Sequence, residues 1–74
     1  MNIIWTNRAL SKMKSLSLSE AEVLDAFNKG ETEKSNLGGF NAIKKYPGRE
    51  IGVYYNRKFT GEYVIISVWE RMRR

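Results

Sequence analysis

Residues 50–74, EIGVYYNRKFTGEYVIISVWERMRR, constrain what this chain can fold into more than any other stretch. Ile51, Val53 and Tyr55 alternate with Gly52, Tyr54 and Asn56, and Val64, Ile66 and Val68 alternate with Tyr63, Ile65, Ser67 and Trp69. Two such arms, joined by the short polar connector 57–61, predict a β-hairpin with one packed face and one open face. β-Branched and aromatic residues suit both arms, and Gly61 can supply the positive φ that a bulged hairpin loop requires. A lone hairpin is marginal in water, so its apolar face needs a cover, which only the first thirty residues offer. With Ile51, Val53, Tyr55, Val64, Ile66 and Val68 toward that cover, Tyr54, Tyr63, Ser67 and Trp69 fall on the open side. Ile65 falls there too, so the open face is expected to be more than solvated surface.

The covering segment reads as helical. Residues 2–5 form a short first strand, and Thr6 is placed to cap the helix that follows. Residues 7–16 put Leu10 and Met13 on one side, with Ala9 and Leu16 flanking and Arg8, Lys12 and Lys14 mostly opposite. Ser19 followed by Glu22 is a capping box, starting a second helix over residues 20–28 whose buried stripe is Ala21, Leu24 and Phe27, or Val23 and Phe27. Lys29-Gly30 ends that helix, with a cation in the last turn and a residue free to enter the left-handed region. Residues 31–36 are expected to be an edge strand or ordered arm, Gly38-Gly39 a turn, and residues 40–46 a strand closed by Pro47-Gly48. That strand puts Phe40, Ala42, Lys44 and Tyr46 on one face and Asn41, Ile43 and Lys45 on the other; a basic tail follows Trp69. Trp5 is assigned to the core. No strand-to-helix turn follows Gly38-Gly39, so it is no phosphate-binding loop.

These elements specify an α+β fold in one domain, residues 1–74. Two N-terminal helices pack on one face of a three- to five-stranded, mainly antiparallel sheet in the order β-α-α-β-β-β, with room for one further strand.

The chemistry is bounded by what is missing. There is no histidine and no cysteine, which excludes zinc sites, Ser-His-Asp triads and paired-histidine ribonuclease chemistry. No cofactor or metal is expected. The apolar run Ile3–Trp5 is far too short to span a membrane, and the chain is expected to be soluble and cytoplasmic. The net charge is +5, of which +1 falls in residues 1–30 and +4 in residues 31–74. A basic sheet half interleaved with Tyr and Trp is the footprint of a polyanion binder, although small basic domains without that role are common.

At Thr6-Asn7-Arg8-Ala9-Leu10-Ser11-Lys12-Met13, then Leu18-Ser19-Glu20-Ala21-Glu22-Val23 and Gly30-Glu31, the sequence resembles a family of small bacterial domains of unknown function. Members read Thr-x-His-Ala near the N-terminus, then Arg-Met or Arg-Leu and a helix start Ile-Ser-x-x-x-Val, and end in a strand like Val64-Ile65-Ile66-Ser67-Val68. The family looks related to RelE-like toxins and to small ribonucleases with helices packed on an antiparallel sheet. The resemblance therefore implies metal-independent RNA cleavage by basic and tyrosine side chains on the sheet, with RNA and an antitoxin as partners. Arg8 stands where the family commonly has histidine, so a catalytic role for that histidine is lost here or was never needed.

Cleavage through the 2′-hydroxyl needs a base, charge stabilisation at the phosphate and an acid for the leaving oxygen. The groups expected on the open face are Lys44, Arg49, Tyr54, Tyr63, Glu70, Arg71 and Arg73. Carried over from the resemblance, Arg49, Arg71 and Arg73 clamp phosphate and Tyr54 or Glu70 accepts the proton, so Tyr54, Glu70 and Arg71 are the candidate catalytic residues. Lys44, Lys45, Arg49, Arg57, Lys58, Trp69 and Arg73 are the candidate RNA contacts. Each has a plainer reading: Lys44, Lys45 and Arg49 as solubilising charges, Arg57-Lys58 as a solvated loop, the C-terminal arginines as a frayed end. Trp69 and Tyr54 suit base stacking, the back of a thin sheet or a dimer interface. The rival to an RNA-acting domain is a non-catalytic module, such as a phage or plasmid accessory protein, that binds another protein by its open face or by the edge strand 31–36.

Overall fold

Both helices begin where their caps place them. The Thr6 hydroxyl accepts a hydrogen bond from the Ala9 amide (3.1 Å), and helix α1 runs over Asn7–Leu16. Ser19 and Glu22 form the full capping box: the Glu22 amide donates to the Ser19 hydroxyl oxygen (3.1 Å), and the Ser19 amide donates to the Glu22 carboxylate (3.0 Å). Helix α2 follows over Glu20–Lys29. The computed structural model describes residues 2–72; Arg73 lies outside the described residues. In those limits the strands are β1 (Ile3–Trp5), β2 (Glu31–Lys34), β3 (Phe40–Tyr46), β4 (Arg49–Arg57) and β5 (Tyr63–Met72). They form a single five-stranded sheet in the order β1-β5-β4-β3-β2. Every pairing is antiparallel except β1 with β5, which is parallel, the two helices and β2–β4 lying between them in the chain. The expected α+β layout is the observed one.

The core lies between the helices and one sheet face. Ala9 and Met13 of α1 and Val23 and Ala26 of α2 meet Ala42, Ile51, Val53, Tyr55, Ile65 and Val68, all buried. Of the two stripes expected for α2, that of Val23 and Phe27 is the observed one, and α1 turns Ala9 and Met13 inward. Leu10 is exposed, and Ala21 is exposed while Val23 and Ala26 take the innermost positions of α2. Phe27 is partly buried and meets Tyr55 and Tyr63 edge to face, with ring centroids 4.8 and 5.3 Å away.

Three expectations are corrected. Gly30 does not enter the left-handed region; its φ is −74°, and glycine is required because a Cβ there would press on the Ala26 carbonyl and the Ile43 backbone. Residues 70–72 are not a tail but the last residues of β5, paired with β4 as far as Met72 opposite Arg49. The third concerns faces. Tyr54 pairs with Ser67 but Tyr55 pairs with Ile65, so Ile66 is an extra residue, a β-bulge. A bulge shifts the alternation by one, so Tyr63 and Ile65 turn toward the helices, and Val64 leaves that face. Val68, beyond the bulge, faces the core as expected. The Thr6 hydroxyl fastens this point, donating to the Ile65 carbonyl (2.8 Å) with the Ile66 carbonyl close by at 3.0 Å.

Among the described residues, no helix is long and apolar enough to cross a membrane.

Candidate functional site on the open sheet face

Strand register sorts the polar residues onto two faces. On the helix face, Arg49 lies between Glu70 of β5 (2.8 Å) and Glu22 of α2 (2.9 Å). Beside it the Tyr46 hydroxyl donates to Asp25 (2.7 Å), which also meets Lys29 at 3.0 Å and Lys44 at 3.5 Å. These contacts fix protonation states. The Tyr46 hydrogen bond, helped by Lys29, holds the Asp25 carboxyl down at about 2, while burial and then Asp25 itself push Tyr46 up to about 12. Glu22 is lowered by the Ser19 amide and by Arg49, and Arg49 is raised by Glu70 and Glu22. This cluster ties α2 to the sheet.

The cluster has a pH signature. The contribution of Asp25 to stability is complete above its ordinary value of 3.8 and is lost as pH falls through about 2. Removing the hydroxyl weakens the cause of that shift. The fall in melting temperature between pH 3.8 and about 2 is therefore expected to be smaller in Tyr46→Phe than in the parent protein. Equal falls would show that this hydrogen bond does not control Asp25.

Lys44, Arg49 and Glu70, with Tyr63, thus sit on the face opposite the one expected for them. In β3, β4 and the part of β5 beyond the bulge, the alternation itself puts Lys44, Arg49 and Glu70 on the side of Ile51 and Val68, and the bulge brings Tyr63 to the same side. Glu70 cannot join Tyr54 at one phosphate, because the sheet lies between them. Arg57 stands over the Tyr63 ring (5.6 Å), and Lys58 lies at the exposed tip of the β4–β5 hairpin.

The open face holds a different constellation, in rows across the strands. One row is Lys45, Glu50 and Arg71; the next is Glu31, Ile43, Gly52 and Trp69; the third is Glu33, Asn41, Tyr54 and Ser67. Members of these rows line a groove of about 390 Å³. Its floor is the Trp69 indole, which lies across Gly52 so closely that a Cβ there would fall inside the ring. The indole N–H donates to the Asn41 side-chain carbonyl (3.3 Å), and the Arg71 guanidinium stands 5.4 Å from the ring centre. Arg71 also approaches Glu50, at a long 3.9 Å. The Tyr54 hydroxyl donates to the Gly38 carbonyl, which commits its proton to holding the β2–β3 turn.

Of the residues expected to act together, the open face unites Lys45, Tyr54, Trp69 and Arg71. It adds Glu31, Glu33, Asn41, Glu50 and Gly52, which the sequence reading did not single out. Their signal was present: continuing the alternation of Ile51 and Val53 puts Glu50 and Gly52 opposite the core, as Asn41 and Lys45 are in β3. Among the described residues, no group of three or more His, Cys, Asp or Glu side chains is placed to hold a metal ion.

Fold and site together define a two-layer α+β domain with an uncovered, aromatic-floored sheet face. Comparison with protein-family models, with curated proteins and with solved structures finds no match to this chain.

Proposed function

We propose that this domain acts on single-stranded RNA laid across its open sheet face. The observation that carries the reading is the row Lys45–Glu50–Arg71 alongside the flat indole of Trp69. Two cations flanking a groove meet phosphates, and an indole accepts an unpaired base whose stacking is worth about 1–3 kcal/mol. The motif resemblance to a toxin-related family points the same way. The row also contains what a metal-independent cleavage step needs, with Glu50 in the part that Glu70 was expected to play. Glu50 takes the 2′-hydroxyl proton while Lys45 and Arg71 hold the phosphate. The 2′-oxygen bonds to phosphorus, the bond to the 5′-oxygen breaks and that oxygen takes a proton from water, leaving a 2′,3′-cyclic phosphate and a 5′-hydroxyl.

The test is binding and cleavage of a mixed single-stranded RNA in EDTA at two salt concentrations. Arg71→Ala and Lys45→Ala are each expected to weaken binding and to lower the salt slope by about one unit, at unchanged melting temperature. Arg49→Ala should do the reverse, lowering the melting temperature and leaving the slope alone, since it leaves Glu22 and Glu70 facing each other. Glu50→Gln should stop cleavage and keep binding. Retention that ignores both salt and the Lys45 and Arg71 substitutions would overturn the reading, and binding without cleavage would restrict it to an RNA binder.

One observation favours a protein-binding module instead. Leu37 and Phe59 are almost wholly exposed, and the register puts their two loops at the same end of the sheet. A partner such as an antitoxin docked there would be released by Leu37→Ser with Phe59→Ser, and its affinity would respond little to salt.

A further inference from the structure

The groove is not uniformly cationic, and its acidic wall carries information about what it holds. Glu31 and Glu33 project from β2 onto the open face, opposite Ile43 and Asn41. Among the described residues neither carboxylate has a hydrogen-bond or ion-pair partner, and both line the groove. A phosphate would be repelled there. What suits that wall is the part of a nucleotide that donates hydrogen bonds, with the phosphate kept at Lys45 and Arg71 on the adjoining row.

We infer that the groove beside Trp69 selects guanine, a specificity that rests on the RNA reading above. The Asn41 side-chain carbonyl is already used by the indole N–H, so the amide presents its two N–H donors to the groove. Its cross-strand neighbour Glu33 presents only acceptors. A donor beside a pair of acceptor oxygens complements the Watson–Crick edge of guanine: O6 accepts from Asn41, while N1–H and the N2 amino group donate to the two oxygens of Glu33. No other RNA base has two adjacent donors on that edge. Adenine, cytosine and uracil each turn at least one acceptor toward the carboxylate, where it is repelled. The base stacks on the outer face of Trp69, whose inner face is set against Gly52. Arg71 is mostly exposed and its contact with Glu50 is long, so it can move from the ring to the phosphate.

The experiment compares short uridine oligomers that differ only in one central residue: guanosine, inosine, adenosine or cytidine. Binding is followed by quenching of Trp69 fluorescence in a Trp5→Phe background. The guanosine oligomer should bind about 5- to 150-fold more tightly than the adenosine one, the range expected of one bidentate base contact. Inosine, which lacks the N2 amino group, should fall between them. Glu33→Gln should remove most of the preference, both by weakening the guanosine oligomer and by relieving the repulsion of the adenosine one; Glu33 lies exposed on an edge strand, so this variant should fold. Equal affinities for all four oligomers would overturn guanine selection and leave the RNA reading standing. A preference that survives Glu33→Gln would overturn the recognition by Glu33, and no binding to any oligomer would overturn both.

Discussion

Ile65→Ala should cost about 2–5 kcal/mol, and Ile66→Ala distinctly less, although the two residues are neighbours of the same type. Ile65 is wholly buried against the helix layer, opposite Tyr55, whereas Ile66 is the extra residue of the bulge and only partly covered. Removing the Ile65 side chain leaves a cavity among Tyr55, Val53 and the side chains of α1, which the small Ala9 cannot fill. Urea denaturation of both variants measures the difference. Unbroken alternation through residues 63–68 predicts the opposite order, so a larger cost at Ile66 would remove the bulge and with it the face assignments of Tyr63 and Ile65.

Gly52→Val should disrupt the open face from within. The new side chain would occupy the volume of the Trp69 indole, and the strain of forcing both into one place is about 1–3 kcal/mol. The indole gives way because it lies on the solvent side, whereas the β4 backbone is held by β3 and β5. Emission from Trp69, read in a Trp5→Phe background, should shift to longer wavelength as the ring enters water, and RNA retention should fall with the loss of the stacking floor. Trp69→Ala should restore part of the stability lost in Gly52→Val, because the added side chain then has room. Unchanged emission in Gly52→Val would show that the ring does not lie across Gly52.

The features legible in the sequence are the local ones. Thr6 and the pair Ser19 and Glu22 announce helix starts because each cap is closed within three residues, and Gly61, at φ 94°, marks its loop by a conformation few other residues adopt. The faces of β3 followed from alternation alone. The faces of Tyr63, Val64 and Ile65 depend on what lies across the sheet. Nothing near Ile66 in sequence marks it as the extra residue; only its register against Tyr54 and Tyr55 does. Lys44, Arg49 and Glu70 looked like free charges because their partners, Asp25 and Glu22, lie on a helix whose docking no local pattern specifies. The groove was half legible: Trp69 and Arg71 stood out as residue types, while Gly52 became meaningful only with a ring lying across it.

The parallel seam between β1 and β5 also governs when the domain can be completed. Ile3–Trp5 finds its partner some sixty residues later in the chain, and the Thr6 hydroxyl reaches the same point. Bringing such distant segments together is the slow kind of contact, since the loop entropy is lost before any of it is returned. During synthesis the first strand therefore waits for Tyr63–Ile65 to leave the ribosome, while the β3–β4 hairpin can pair as soon as its own residues emerge. The sheet is expected to assemble outward from β4, with the earliest-made strand the last to join.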